Sequence, residues 1–287
     1  MNILITGANG QLGTELSKLL PNAIATGSQD LDVTNEKAVR SFIKRHRINM
    51  VVNCAAYTNV DGAEMDVLNA VKVNTYGPKF LAQTGVKMIH ISTDYVFDGD
   101  SSVPYRPTDT AKPMSVYGYT KFLGEKEVVR YAPESVILRT SWLYSPYGKN
   151  FFKTMQRLGK EKSEISVVGD QFGTPTYAAD LAEAIVEIIP QVNEANAGIY
   201  HFSNKGQSSW QRFASEIMKQ SGLDCKVVPI STVQYKESLG KDKIYANRPM
   251  YSVLDKTKTI ETFGLKISDW QDALIRCIQA DKIINAR

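Results

Sequence analysis

The chain has 287 residues, 43% of them hydrophobic and 22% charged, with a net charge of +4 at pH 7. Near-average apolar and charged content excludes disordered, collagen-like and low-complexity classes, and the length suits two domains, or one carrying a lobe. The 34 basic and 30 acidic residues form no basic block, so neither nucleic acid nor an acidic membrane is an expected partner. Cys54, Cys225 and Cys277 are too few and too scattered for a disulfide framework or a zinc site. No run approaches the roughly 18 apolar residues of a membrane span, and the opening MNILITGANG lacks a basic segment leading into an apolar one. The expectation is a soluble, cytoplasmic protein.

In chain order, Asn2–Thr6 reads as a strand bounded by Gly7, and Gly13–Leu20 as a helix. Ala23–Thr26 reads as a strand, and Asn35–Arg47 as a helix with Thr34 or Asn35 as its N-cap. Met50–Cys54 is apolar and β-branched without alternation, the pattern of a strand covered on both faces. Asp66–Thr84 (helix), Lys87–Ser92 (strand), Ser115–Tyr131 (helix) and Val136–Arg139 (strand) continue the alternation. This order predicts an α/β fold, a doubly wound parallel (Rossmann) sheet. Beyond about Ser145 the rhythm weakens. Helices over 151–160, 177–189, 210–220 and 270–284, with strands over 165–168, 199–202 and 226–229, predict a second, smaller α/β substrate-binding lobe. The division expected is 1–147 for a dinucleotide-binding domain, rejoined by segments near 170–200, and 148–287 mainly for the lobe.

Gly7-Ala-Asn-Gly10-Gln11-Leu12-Gly13 follows a predicted strand and opens a predicted helix. The first glycine makes a tight turn, the second lets a pyrophosphate approach the backbone, and the third lets helix and strand pack closely. An NAD site usually places an acid at the end of the second strand to hold the ribose 2′-OH. Ala25-Thr26-Gly27-Ser28 has none there, which favours NADPH and leaves NADH open, since no arginine stands nearby. Asp32 has two readings, acceptor for the adenine amino group or helix-entry residue before Thr34.

Tyr117 and Lys121 stand four apart on a predicted helix and so share a face. The expectation is that the lysine cation lowers the phenol's pKa, so that Tyr117 transfers a proton near neutral pH. With 14 Tyr and 23 Lys, about one such pair arises by chance, so context must carry it. The context is the strand His90-Ile-Ser-Thr93-Asp94, whose end would lie at the cleft, with Thr93 as a hydroxyl donor to a substrate carbonyl. His90 and His201, both in predicted strands, read as core residues.

Taken together these motifs resemble the extended short-chain dehydrogenase/reductase family, and within it the dTDP-4-dehydrorhamnose reductase branch. MNILITGANGQLGTEL (1–16), DLDVTN (30–35), VVNCAAYTNVDGAE (51–64), ISTDYVFDG (91–99), PMSVYGYTKFLGE (113–125), LRTSWLY (138–144), GDQFGTPTYAADLA (169–182) and RPMYSVLD (248–255) carry the likeness. The resemblance implies hydride transfer from NAD(P)H to the 4-keto carbon of dTDP-4-dehydro-L-rhamnose, with Thr93, Tyr117 and Lys121 as the catalytic trio. It implies a cofactor bordered by Gly10 to Gly13, Asp32, Val33, Ala55, Ala56 and Tyr57. It places Thr93, Asp94 and Trp142 on the sugar nucleotide and Arg248 on its diphosphate. Trp142 and Arg248 also read from the residues alone, as a flat indole at a strand's end and a loop guanidinium suited to phosphate. A homodimer is a further expectation. Some family members share a magnesium ion between glutamates. Glu15 stands at one such position, but Asp272 replaces the expected glutamate near the C-terminus, so no metal is predicted and Glu15 reads as solvent-facing. Two other readings stay open: a non-catalytic NADP-binding regulatory subunit resembling that of methionine adenosyltransferase, and a nucleotide-sugar epimerase or dehydratase that recycles bound NAD.

Overall fold

The computed structural model describes residues 1–240 and 243–286. Its centre is a six-stranded, wholly parallel sheet built from β1 (Ile3–Thr6), β2 (Ile24–Thr26), β3 (Met50–Asn53), β4 (Lys87–Thr93), β5 (Val136–Thr140) and β6 (Gly198–His201). In space the order is β6-β5-β4-β3-β1-β2. Successive residues of the central strands feed different cores. Ile3, Ile5, Met50, Val52, Ile89 and Leu138 pack on one face, while Leu4, Val51, Met88 and Ile137 pack on the other. That division is why these strands read as unbroken apolar runs: each needs both faces covered. The chain leaves β1 toward β2 and returns on the other side as β3. The strand order therefore reverses at the carboxyl ends of β1 and β3, where open α/β sheets bind ligands.

Helix α1 (Gln11–Leu19) starts two residues earlier than the glycine spacing suggested. Helix α2 (Glu36–Arg45) takes Asn35 as its N-cap, the side chain accepting from Ala38 N–H at 3.1 Å. The stretch expected as one helix over 66–84 is instead Val67–Val71, a π-helical turn Lys72–Tyr76, and Gly77–Ala82. Pro78 has no N–H to give the carbonyl of Asn74, so the regular ladder fails there. The bulge also packs backbone against helix: a Cβ on Gly124 would lie 2.2 Å from Asn74 O. Helix α3 (Val116–Tyr131) is capped by Ser115, which accepts from Gly118 N–H at 3.1 Å.

The second core joins Tyr144, Phe152, Phe213 and Trp270 beneath a two-stranded parallel pair, Glu164–Val168 with Lys226–Ile230. Two-residue strands pair 143–144 with 176–177 and 172–173 with 208–209; each is too short to leave a periodic signal in the sequence. Helix Ala178–Ile188 packs its Leu181 and Ile185 in the same cluster as Ile3 and Ile5, so a segment from the second half covers the first half's sheet. Among the described residues, no helix is long and apolar enough to cross a membrane.

Candidate active site

At the carboxyl ends of β1, β3, β4 and β5 lies a cleft of about 1210 Å³. The structure brings every singled-out site residue onto its walls, from Gly7, Gly10, Gln11, Leu12 and Gly13 through Asp32, Val33, Ala55, Ala56 and Tyr57 to Thr93, Asp94, Tyr117, Lys121, Trp142 and Arg248. His201 lies outside it, and both His90 and His201 are fully buried; burial holds each imidazole well below its ordinary pKa, His201 at about 3.

The glycine turn is shaped by close approach. Gly7 has φ +68°, and a Cβ there would lie 2.7 Å from Ala55 N; one on Gly13 would lie 2.3 Å from Gly7 O. Gly10 is different, with the Gly7 carbonyl at 3.2 Å as its one near neighbour. Internal packing is therefore a weak reason for a glycine at position 10, and space for an incoming ligand is a better one. Gly10 is the N-cap of α1 and offers no side-chain cap, and the first turn carries no acid. Free N–H groups at the positive end of a helix thus open on the cleft, which fits a pyrophosphate. Beyond β2, Asp30 accepts from Gly27 N–H at 2.8 Å and does not line the cleft. Asp32 accepts from Thr34 N–H at 2.9 Å and from its hydroxyl at 2.7 Å, so one carboxylate oxygen serves the turn before α2.

Tyr117 and Lys121 do share the cleft-facing side of α3, but the electrostatics differ from expectation. The ammonium of Lys121, almost fully buried, donates to Ile91 O of β4 at 2.5 Å. Burial lowers its pKa to about 8, opposed mainly by the charge of Glu125. Burial pushes the Tyr117 phenol up, to about 12, with the neighbouring Thr93 hydroxyl opposing and the charge of Asp94 adding. The phenol is thus not acidified by the lysine: the ammonium is held on the strand carbonyl, and desolvation of the phenolate dominates. Gly118 fixes where the helix starts, since a Cβ there would fall 2.1 Å from Tyr95 O. Thr93 ends β4, donating to Asp94 Oδ1 at 3.2 Å and accepting from Tyr95 N–H at 3.2 Å. Asp94 is 2% exposed, and burial raises its carboxyl to about 6 against hydrogen bonds from Ser252 and Thr93.

On the opposite wall Trp142 adopts φ +47°, a conformation that costs a non-glycine residue about 1–3 kcal/mol. Its indole stacks on Trp210 with centroids 3.6 Å apart and planes 9° from parallel, and covers Gly173, whose Cβ would meet the ring at 2.5 Å. Arg248, read as a loop charge, is partly buried. It donates to Asp61 Oδ2 at 2.9 Å and lies 4.0 Å over the Tyr245 ring. Burial works against its charge, yet Asp61 raises its pKa above the ordinary value, so it stays a cation. Trp210, Asp61, Tyr235 and Tyr245 were not read from the sequence. Trp210 followed a serine pair that spells no motif, and the Asp61–Arg248 partnership spans 187 residues.

Glu15 is a correction as well. It is buried at 7% exposure, paired with Lys18 at 2.8 Å, rather than facing solvent; Asp272 is exposed. Among the described residues, no three His, Cys, Asp or Glu side chains gather as a metal site.

Comparison with known proteins agrees with this geometry. The family model described as the RmlD substrate binding domain matches residues 1–283. A dTDP-4-dehydrorhamnose reductase of Aggregatibacter actinomycetemcomitans is 40% identical over 95% of this chain and 96% of its own length. Solved structures of dTDP-4-dehydrorhamnose reductases from Clostridium acetobutylicum (42% identity, TM-score 0.92) and from Bacillus anthracis, the latter in complex with NADP (39%, 0.90), each cover 98% of this chain and are themselves covered completely. With this fold, this cleft and these relatives, the chain belongs to the dTDP-4-dehydrorhamnose reductase family, within the extended short-chain dehydrogenase/reductases.

Proposed function

We propose that this protein reduces the 4-keto group of dTDP-4-dehydro-L-rhamnose to give dTDP-L-rhamnose, with Thr93, Tyr117 and Lys121 as its catalytic residues. The observation that carries the assignment is the convergence of Thr93, Tyr117 and Lys121 at the end of β4, in the cleft that the glycine turn opens. Residues 1–147 would bind the dinucleotide, with Ala178–Ile188 and β6 rejoining them, and 148–287 would mainly hold the sugar nucleotide. NADPH, seated along Gly10 to Gly13, Val33 and Ala55 to Tyr57, supplies the hydride when bound. Beside β2 the cleft lining has the Ser28 hydroxyl, and of the two acids there Asp30 is turned to Gly27 and one oxygen of Asp32 to Thr34, which supports a 2′-phosphate at this end.

A reduction needs a proton donor for the oxygen that becomes a hydroxyl. A phenol held near 12 is fully protonated at neutral pH, and a developing alkoxide is far more basic, so the raised Tyr117 suits the reductive direction. The Tyr117 hydroxyl donates its proton to that oxygen, and the Thr93 hydroxyl, rotating away from Asp94, donates a hydrogen bond to it as charge grows. Lys121 uses one of its three donors on Ile91 O and keeps two for the nicotinamide ribose. Trp142, held against Trp210, offers a flat apolar face to the sugar, and Arg248 faces the diphosphate. Purified protein alone should consume NADPH when given the 4-keto sugar nucleotide, and faster than NADH. A protein that consumes neither, yet binds NADPH, would be the regulatory subunit instead; one purified with a non-exchanging nucleotide would be an epimerase or dehydratase.

A further inference from the structure

Behind the catalytic side chains lies a charged cluster that does not line the cleft. Glu125 and Arg139 are 1% and 2% exposed. Arg139 donates to the two carboxylate oxygens of Glu125 through Nε at 2.8 Å and Nη2 at 2.7 Å, and the Ser92 hydroxyl donates to Oε1 at 2.5 Å. Such a pair is a poor way to stabilise a core. Buried ion pairs can be replaced by apolar side chains without loss, because removing two charges from water costs as much as their attraction returns. Here the fit is also incomplete, since Arg139 Nη1 has no partner among the described residues. The cluster needs another reason.

Its place in the fold supplies one. Glu125 stands one turn beyond Lys121 on the same face of α3. Lys121 is tied to Ile91 of β4, and Glu125 is tied to the next residue, Ser92. Arg139 is the register partner of Ser92 on β5, and Thr93 is that of Thr140. Two successive strand residues are thus each clamped by side chains one helical turn apart, directly before the strand delivers Thr93.

We propose that Glu125 and Arg139, with Ser92, are positioning residues that lock the helix carrying Tyr117 and Lys121 to the strand end carrying Thr93. Glu125 and Arg139 act through those side chains and do not line the cleft, while Ser92, which does line it, turns its hydroxyl to Glu125. The proposal rests on the catalytic roles given above to Tyr117, Lys121 and Thr93. A misplacement on the order of 1 Å in such a constellation is enough to cost about a hundredfold in rate. The carboxylate has a second effect on the same lysine, because its charge is the main force opposing the burial that depresses the Lys121 ammonium. The other titratable groups around Lys121 are Cys54 at the end of β3, His90 on β4 and Tyr117. Cys54 is pushed up to about 12, Tyr117 likewise, and His90 is held far below its ordinary value, so all three stay neutral through a neutral-to-alkaline assay.

The test is the double variant Glu125→Leu with Arg139→Met, which removes both charges and leaves neither alone in the core. The expected protein keeps a wild-type unfolding temperature and binds NADPH and the 4-keto sugar nucleotide within about threefold, while kcat falls about thirtyfold or more. The alkaline limb of kcat should also move to lower pH, since Lys121 has lost its counter-charge. Wild-type kcat in the folded double variant overturns the proposal. So does a kcat loss matched by an equal loss of NADPH affinity with an unmoved alkaline limb, which is the mark of a merely structural pair. Should the double variant not fold, Ser92→Ala is read in its place: kcat lower by about threefold or more at unchanged NADPH affinity supports the clamp, and unchanged kcat overturns it. Tyr117→Phe in parallel separates this failure from that of the catalytic assignment, because full turnover in that variant refutes the assignment itself.

Discussion

The two walls of the cleft are made differently. The wall formed by β1, α1 and the end of β3 is backbone: glycines at 7 and 13 that tolerate no Cβ, and a helix N-terminus without a side-chain cap. The wall formed by Trp142, Trp210, Tyr245 and Arg248 is side chain, brought together from distant segments and held by an indole stack and an ion pair to Asp61. A backbone wall suits a ligand portion that many enzymes share, since its demands are steric and fixed. A side-chain wall can change its ligand by substitution without disturbing the sheet. Between them stand Thr93, Tyr117 and Lys121, on the sheet's own elements and clamped from behind.

The sharpest way to break this comparison is at the junction. Tyr117→Phe removes the proposed proton donor and leaves both walls intact, so kcat should fall by about a hundredfold to ten-thousandfold with NADPH affinity nearly unchanged. Loss of NADPH binding in its place would put Tyr117 in the backbone wall. Next in size is Gly7→Ala. Its φ of +68° and the 2.7 Å approach to Ala55 N predict about 1–3 kcal/mol of lost stability and weaker NADPH binding, read by thermal unfolding and by titration. An unchanged unfolding temperature would mean the turn relaxes and the wall is softer than its contacts suggest.

Asp94 gives a comparable effect with a pH signature. Its folded carboxyl, at about 6, lies above the ordinary aspartate value of 3.8, so the folded state holds the proton more tightly than the unfolded chain. Stability from this group is present below about pH 4 and is lost as pH rises through 6, at most on the order of 3 kcal/mol. Asp94→Asn, which cannot ionise, should therefore be more stable than wild type at pH 7.5 and about equal to it at pH 4 by denaturant unfolding. A variant destabilised equally at both would mean the ionised carboxylate is well solvated or paired. Smaller again is Arg248→Met on the side-chain wall. Losing the proposed charged contact to a diphosphate should raise KM for the sugar nucleotide about tenfold to a hundredfold with kcat little changed. An unmoved KM would confine Arg248 to its pairing with Asp61.

This contrast also explains what could be read in the sequence. The sheet, its helices and the glycine turn follow from local rules, apolar runs of four or five and glycines at fixed spacing, so residues 7 to 13 and the Tyr117–Lys121 helix were legible. The side-chain wall was half legible. Trp142 and Arg248 carried family motifs, but Trp210 and Asp61 acquire meaning only when the fold places them opposite those residues. The pKa logic failed at Tyr117 because spacing says that two side chains share a face and says nothing of what else the lysine can reach. Ile91 O lies on another element and outbid the phenol for the ammonium. Glu15 was misread for the same kind of reason, since the helix Ala178–Ile188 that buries that side of α1 returns from the other half of the chain.

Asp32 carries the smallest expected effect and the finest distinction. Its Oδ1 is spent on the N–H and hydroxyl of Thr34, yet the residue borders the cofactor wall. If the turn is its whole role, Asp32→Asn keeps an acceptor in place and costs below about 1 kcal/mol, with the ratio of NADPH to NADH affinity moving less than about threefold. If the carboxylate also faces the cofactor, removing its charge relieves repulsion toward a 2′-phosphate and raises NADPH affinity over NADH by up to about tenfold, a size expected for one like-charge contact at an exposed site. Binding titrations with both nucleotides, at low and high salt, decide between them, because the electrostatic reading alone predicts a gain that shrinks as salt is added.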